Sequence, residues 1–293
     1  MLRQKPITPY LYLAAPFLVL LTFIYYPIIR NIQYSFYRWN AFSPDMAYIG
    51  LQNYTDLFHD PLLYSALANN VWYAVISVVC QVGGGLVVAA ILEDRAIRRW
   101  APFFRTVYFL PVIISITVIA LLFDFIYNPE VGLLNGFLKA VGLESWSHAW
   151  LGESGTAMFS VIAVSQWQSV GYVAMLFIVA IQKIPGELYE AAEIDGAGRW
   201  RMFVSVTLPQ VKEMAFVTTT VTLTQAFTVF NEPYILTGGG PGHASEVLGT
   251  LLYKTAFVKD LMGYASSIAV FMMIVTLAIS LLQMKLFRSG EEA

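Results

Sequence analysis

Charge is scarce in this chain. Of its 293 residues only 12% are Asp, Glu, Lys or Arg, about half the density of a soluble domain, so most of its surface does not face water. Cysteine is scarcer: Cys80 stands alone, which excludes an internal disulfide. Its place inside an apolar run predicts a small buried hydrophobe. Histidine is confined to His59, His148 and His243, without the spacing of metal ligands, so no metal site is expected. No phosphate loop of the form G-x-x-x-x-G-K-[ST] occurs. The glycine run at 238–242 has no following Lys and reads as a turn. No basic tract points to nucleic acid, and no catalytic constellation stands out.

What the chain has instead is long apolar runs. Hydrophobic residues make up 58% of it. A spanning helix needs about 20 mostly apolar residues, because a rise of ~1.5 Å per residue must cover ~30 Å of hydrocarbon. Six runs qualify: 10–29, 71–92, 106–127, 157–181, 214–235 and 263–284. None alternates in the manner of a β-barrel strand, and helices satisfy their own backbone in lipid. The predicted fold is therefore all-α, a single domain over 1–293 with six transmembrane helices and core spans over about 71–284. Arg3 and Lys5 precede the first run, which is longer than a signal-peptide core and reads as an uncleaved span. Pro16 and Pro27 predict kinks within it.

Lys and Arg are retained on the cytoplasmic side. Counted by alternate segments, one side holds Arg3, Lys5, Arg95, Arg98, Arg99, Arg105, Lys183, Arg199, Arg201, Lys212, Lys285 and Arg288, twelve in all. The other holds Arg30, Arg38, Lys139, Lys254 and Lys259, five in all. This places both termini in the cytoplasm, which an even number of spans requires. The segments near 31–69, 128–156 and 236–262 then lie outside, with turns at Ser43-Pro44, Asp60-Pro61 and Asn128-Pro129. Tyr25, Tyr26, Trp72, Trp100 and Tyr108, near span ends, read as an interfacial belt.

Mid-membrane charge is also missing. Ionisable groups inside a bilayer mark proton relays and ion pathways. The interiors of the second, fourth, fifth and sixth runs contain none. Asp124 and Glu232 sit near outer ends and read as interfacial. A proton-coupled carrier is thereby disfavoured, while coupling to sodium through carbonyls and hydroxyls stays open. If no ion gradient drives the chain, energy must enter from outside the bilayer, through another polypeptide.

The inner segment 182–213 is the most charged. Pro185 suits the start of a helix and Glu187 its positive end. Ala191 and Ala192 are strong helix formers and small enough for close approach. Gly196 can end that helix in a left-handed conformation. A second short helix follows from about Gly198 to Val206, and Pro209 restricts Leu208 and turns the chain back. The product is a stiff helix-turn-helix. Its pattern resembles the EAA motif of binding-protein-dependent ABC importer permeases: Glu190, Ala191 and Ala192, then Gly196, then Val206, Leu208 and Pro209, with Val for the commoner Ile. The stretches 48–54, 104–111 and 234–241 are similar to the carbohydrate-uptake branch, in particular to the larger membrane subunit of the maltose transporter. That subunit has extra spans and a large periplasmic insertion for which this chain has no room.

The resemblance implies a type I ABC importer permease fold in a bacterial or archaeal inner membrane. It implies that Glu190, Ala191, Ala192, Asp195, Gly196, Leu208 and Pro209 couple to an ATPase. It further implies a second permease subunit as heterodimer partner, two ATPase subunits that bind ATP and Mg, and an extracytoplasmic solute-binding protein. This chain would bind no cofactor and catalyse no reaction. The solute is expected to be a sugar or related polyol, against the alternatives of an ion-coupled secondary transporter and a membrane scaffold or receptor.

Two polar stripes have the helical spacing of a solute pathway. Thr218, Thr222, Gln225 and Val229 share one face of the fifth run; Ser165, Gln168, Ser169 and Tyr172 share one face of the fourth. Gln168 and Gln225 lie at similar depths, ~16 and ~11 Å from the outer ends. Helix–helix hydrogen bonding is the other reading of such stripes. By resemblance to the maltose subunit, Gln168, Ser169, Tyr172, Thr222, Gln225, Ala226 and Val229 are solute contacts, with Ala226 departing from an amide.

Overall fold

A computed structural model describes residues 8–43, 45–94, 96–97 and 99–289. Arg3, Lys5, Pro44, Arg95 and Arg98, used above for orientation and turns, lie outside them. The described residues are helical apart from loops and one two-stranded antiparallel ribbon, β1 (Tyr37–Arg38) with β2 (Ala47–Tyr48). They form two compact units: Met1–Asp60 with Leu252–Ile274, and Pro61–Leu251 with Val275–Ala293.

In the smaller unit, α1 (Tyr12–Tyr34) is a candidate span with none of its apolar window buried. The helix runs through both prolines where kinks were expected. A wide π turn at Leu21–Tyr25 lies just ahead of Pro27 and opens the ladder where that residue has no N–H to donate. The ribbon and α2 (Gln52–His59) are held by Asn53, which is buried and donates to the carbonyls of Ser35 (2.8 Å) and Tyr37 (3.0 Å).

The larger unit is built on α3 (Pro61–Glu93), α4 (Ala101–Ile113), α5 (Ile116–Ile126), α6 (Leu133–Ala140) and α7 (Ala157–Ile181). The helical hairpin within 182–213 is formed by α8 (Gly186–Ile194) and α9 (Arg199–Met202), and α10 (Lys212–Thr228) and α11 (Asn231–Thr237) follow it. Then follow α12 (Leu248–Tyr253) and α13 (Met262–Ser289); the latter two cross the division between units. Helices gain little from burying Leu against Leu in lipid, so close approach decides packing. Gly171 provides it: a Cβ there would run into the carbonyl of Tyr108, so only glycine lets α4 lie against α7. The core of α3 against α7 is Val82, Leu86, Ala89, Phe177 and Ile178, closed by Val211.

Six apolar runs become, among the described residues, four helices long and apolar enough to cross a bilayer, or five if a bent pair counts as one. The third run is that pair: α4 and α5 meet at 100°. The break follows Pro111 and the β-branched Val112-Ile113-Ile114, which hold a helix poorly. The fifth run is also interrupted. Its helix α10 spans 17 residues, Val229 and Phe230 leave the helical conformation, and α11 starts at Asn231. Pro233 accounts for this, since its ring would strike the carbonyl four residues back, that of Val229. Cys80 is likewise a correction. It lies in a π turn (Val78–Gly83) and is exposed, because the widened turn rotates it away from α7.

Candidate functional site

Within the larger unit lies a cavity of about 560 Å³, large enough for a small solute. All seven expected contacts line it: Gln168, Ser169 and Tyr172 from α7, Thr222, Gln225 and Ala226 from α10, and Val229 from the break that follows it. Their shares differ. Tyr172 and Gln225 are exposed into it, Gln168 and Ser169 are half-buried, and Thr222, Ala226 and Val229 are buried wall. The wall hydroxyls turn inward to their own helix. Thr218 donates to the carbonyls of Met214 (2.8 Å) and Ala215 (3.1 Å), and Thr228 to that of Thr224 (2.8 Å). On α7, Gln168 also reaches the carbonyl of Ile114 at the break between α4 and α5 (3.4 Å). Cross-helix bonding is thus part of what that amide does.

Sequence reasoning missed the third wall. Tyr73, Ser77 and Gln81 line the cavity from α3, spaced i, i+4, i+8 on one face. The signal was present and hidden by the apolar residues around it. It also missed Glu232, assigned above to the interface, which lines the cavity from the first turn of α11. Buried Tyr73 and Ser165 line the same cavity as Glu232. The break that brings Glu232 there is secured by Asn70, fully buried on α3. Its amide donates to the Ala226 carbonyl (2.7 Å), and its carbonyl accepts from the Leu248 N–H (2.9 Å). Asp124 is exposed.

The second candidate is the helical hairpin. α8 begins after Pro185 and carries Glu187 in its first turn. It ends in a Schellman turn, with Ala197 N–H bonded to the Ala192 carbonyl (2.9 Å) and Gly196 N–H to that of Glu193 (3.0 Å). Gly196 holds φ +75°, a conformation that costs residues with a side chain ~1–2 kcal/mol. The second arm runs from α9 through a π turn (Phe203–Thr207) to Leu208–Gln210. Leu208 departs from expectation: it stays helical at φ −58°, ψ −44°. The widened turn before it accommodates Pro209, and the chain turns at Val211 instead. Tyr189 and Thr207 hydroxyls join the two arms at 2.9 Å. Arg199 pairs with Asp94 at 3.6 Å, and Glu93 bonds Arg105 and Gln182, so the hairpin is moored to the end of α3. Glu190, Ala191, Asp195, Gly196, Leu208 and Pro209 are exposed and Ala192 is half-buried. Two large apolar side chains stand out beside them, Ile194 at 87% and Trp200 at 76% exposure.

Among the described residues no group of three or more His, Cys, Asp or Glu could hold a metal. His148 meets Glu153 at 2.9 Å and His243 meets Glu246 at 3.0 Å. The Ala149 N–H, and after it His148, hold the Glu153 carboxyl below its usual range.

Comparison with known proteins converges on one assignment. Residues 81–289 match the family described as binding-protein-dependent transport system inner membrane component. The probable ABC transporter permease protein YurN of Bacillus subtilis is 65% identical over 100% of both chains. The diacetylchitobiose uptake system permease protein NgcF of Streptomyces coelicolor is 35% identical over 92% of this chain and 79% of its own. The arabinooligosaccharides transport system permease protein AraP of Bacillus subtilis is 31% identical over 97% and 89%. In fold, the chain matches a bacterial ABC transporter involved in import of the acidic polysaccharide alginate, with a TM-score of 0.84 at 24% identity, covering 96% of this chain and 94% of that one. The fold is that of an ABC importer permease, and the chain belongs to the binding-protein-dependent transport system inner membrane component family.

Proposed function

We propose that this chain is the transmembrane subunit of an ATP-driven importer that moves a sugar or related polyol into the cytoplasm by alternating access. The observation that carries the reading is the cavity: amides, hydroxyls and an aromatic ring converge from three helices on a space of about 560 Å³. Sugars present hydroxyls on their edges and C–H faces to rings, and such a wall offers partners to both. Relatives named for diacetylchitobiose and arabinooligosaccharide uptake support the solute class. In this reading Gln168, Ser169, Tyr172 and Gln225 contact the solute, and Thr222, Ala226 and Val229 shape the wall.

The hairpin formed by 182–213 is the coupling element. Exposed apolar side chains on a charged loop favour a protein partner, and a stiff hairpin transmits hinge motion instead of absorbing it. Glu190, Ala191, Ala192, Asp195, Gly196, Leu208 and Pro209 meet or shape the docking face of an ATPase that carries ATP and Mg. Two such ATPases, a second and different permease, and an extracytoplasmic solute-binding protein complete the machine. The whole of 1–293 acts as one permease domain in a bacterial or archaeal cytoplasmic membrane. It crosses six times, with α4–α5 and α10–α11 as broken crossings and both termini cytoplasmic.

The test is uptake in a strain lacking this chain. Labelled neutral disaccharides, arabinooligosaccharides, diacetylchitobiose and sugar alcohols are supplied singly. Restored uptake of one of them on re-expression, abolished by depleting ATP and insensitive to an uncoupler that spares ATP, supports the proposal. Restored uptake that collapses with the ion gradient while ATP is maintained supports the ion-coupled carrier.

A further inference from the structure

The cavity carries a single charged lining residue, Glu232, and no Lys, Arg or His among its described lining. Its position is built. Pro233 forces the break at Val229 and Phe230, Asn70 holds that break by two buried hydrogen bonds, and buried Tyr73 of α3 lines the cavity with the carboxylate. A half-buried carboxylate at the rim of a cavity walled by apolar groups and neutral dipoles is poorly screened, and its field is focused into the space it faces. We infer that Glu232 is a specificity residue: a fixed negative charge that admits uncharged solutes and rejects those bearing carboxylate, sulfate or phosphate. This rests on the proposed solute pathway. Hydroxyls of a neutral sugar donate to the carboxylate oxygens, whereas an acidic sugar meets repulsion with no cation in the lining to offset it. The fold does not itself set this preference, since an importer of the same fold handles the acidic polysaccharide alginate.

The charge is read without knowing the solute. Thr228 is exposed and lines the cavity beyond the proposed contacts. Thr228→Cys is made with Cys80→Ser, which removes the only native thiol of this chain. The whole detergent-solubilised complex is treated with a cationic, a neutral and an anionic methanethiosulfonate, and addition is followed by the intact mass of this chain. Rates are normalised to those of a free thiol, with the neutral reagent reporting access. The expected result is a cationic rate about fivefold or more above the anionic one, falling towards equality in Glu232→Gln and retained in Glu232→Asp. Equal cationic and anionic rates with Glu232 in place, or a preference that survives Glu232→Gln, overturn the inference. A normal charge ratio in a complex that takes up no sugar would instead count against the proposed solute and leave the filter standing.

Discussion

The cavity and the hairpin are built by opposite means. The hairpin is local: its turn is closed by bonds spanning three and five residues, Gly196 to Glu193 and Ala197 to Ala192, and its functional face is exposed. The cavity is assembled over distance, with Tyr73 of α3, Gln168 of α7 and Gln225 of α10 meeting across about 150 residues of chain. One is a contiguous element whose residues act as a rigid unit; the other is a space that exists only when three helices pack. Substitutions in the hairpin should therefore disconnect the machine without disturbing the fold, and substitutions around the cavity should affect either the solute or the packing.

The largest effect is expected at the turn of the hairpin. Gly196→Leu places a side chain at φ +75°, costing ~1–2 kcal/mol locally and undoing the Schellman turn. Uptake should fall by at least about tenfold, since 1.4 kcal/mol is a factor of ten, while the amount of chain in the membrane is unchanged. Normal uptake would show that the turn is not the coupling element. Next is Gln225→Leu, which removes an exposed amide from the cavity; a lost hydrogen bond to solute is worth ~0.5–1.5 kcal/mol. Uptake drops severalfold with the thermal midpoint held, and unchanged uptake assigns the stripe to packing. Asn70→Ala sharpens the contrast from the other side. It leaves the Ala226 carbonyl and the Leu248 N–H unpaired, at ~1–3 kcal/mol each, and a lowered melting temperature of the purified chain is its signature. Trp200→Ala, on the exposed face, should leave melting unchanged and reduce ATPase retention severalfold, as loss of an aromatic anchor does.

The smallest effect is the control. Glu153 titrates below its usual range in the fold, so its contribution is present above the unfolded carboxylate value and lost as pH falls through the folded one. Glu153→Gln should lower the melting temperature slightly at neutral pH, flatten its decline on the acid side, and leave uptake at neutral pH alone. An effect on uptake would mean that the loop carrying Glu153 also meets a partner.

The same contrast governs what the residues disclosed beforehand. The hairpin was legible almost residue by residue, because helix start, small-residue face and glycine stop are short-range physics. Its one misreading, Leu208, came from treating Pro209 alone; a π turn ahead of a proline leaves no mark in composition. The cavity's two stripes were legible as 3.6-residue periodicity, but their convergence was not, and Tyr73, Ser77 and Gln81 passed unnoticed on an otherwise apolar face. Glu232 was misplaced because 214–235 was read as one span. Pro233 sits where it must break that span, and weighing its clash with Val229 would have pointed to the break from which Glu232 lines the cavity. Hydropathy also overstated regularity at 106–127, since it counts apolar residues and is blind to the bend at Ile114–Ser115.

The central claim is that this chain works only as one membrane subunit of an ATP-driven assembly. Its most direct test is co-purification of the tagged chain from native membranes in mild detergent, with mass spectrometry of what accompanies it. The account predicts a second multi-span permease and a nucleotide-binding ATPase at stoichiometric amounts, the ATPase reduced in Trp200→Ala. Recovery of this chain alone, in detergent that keeps other importers intact, would contradict it.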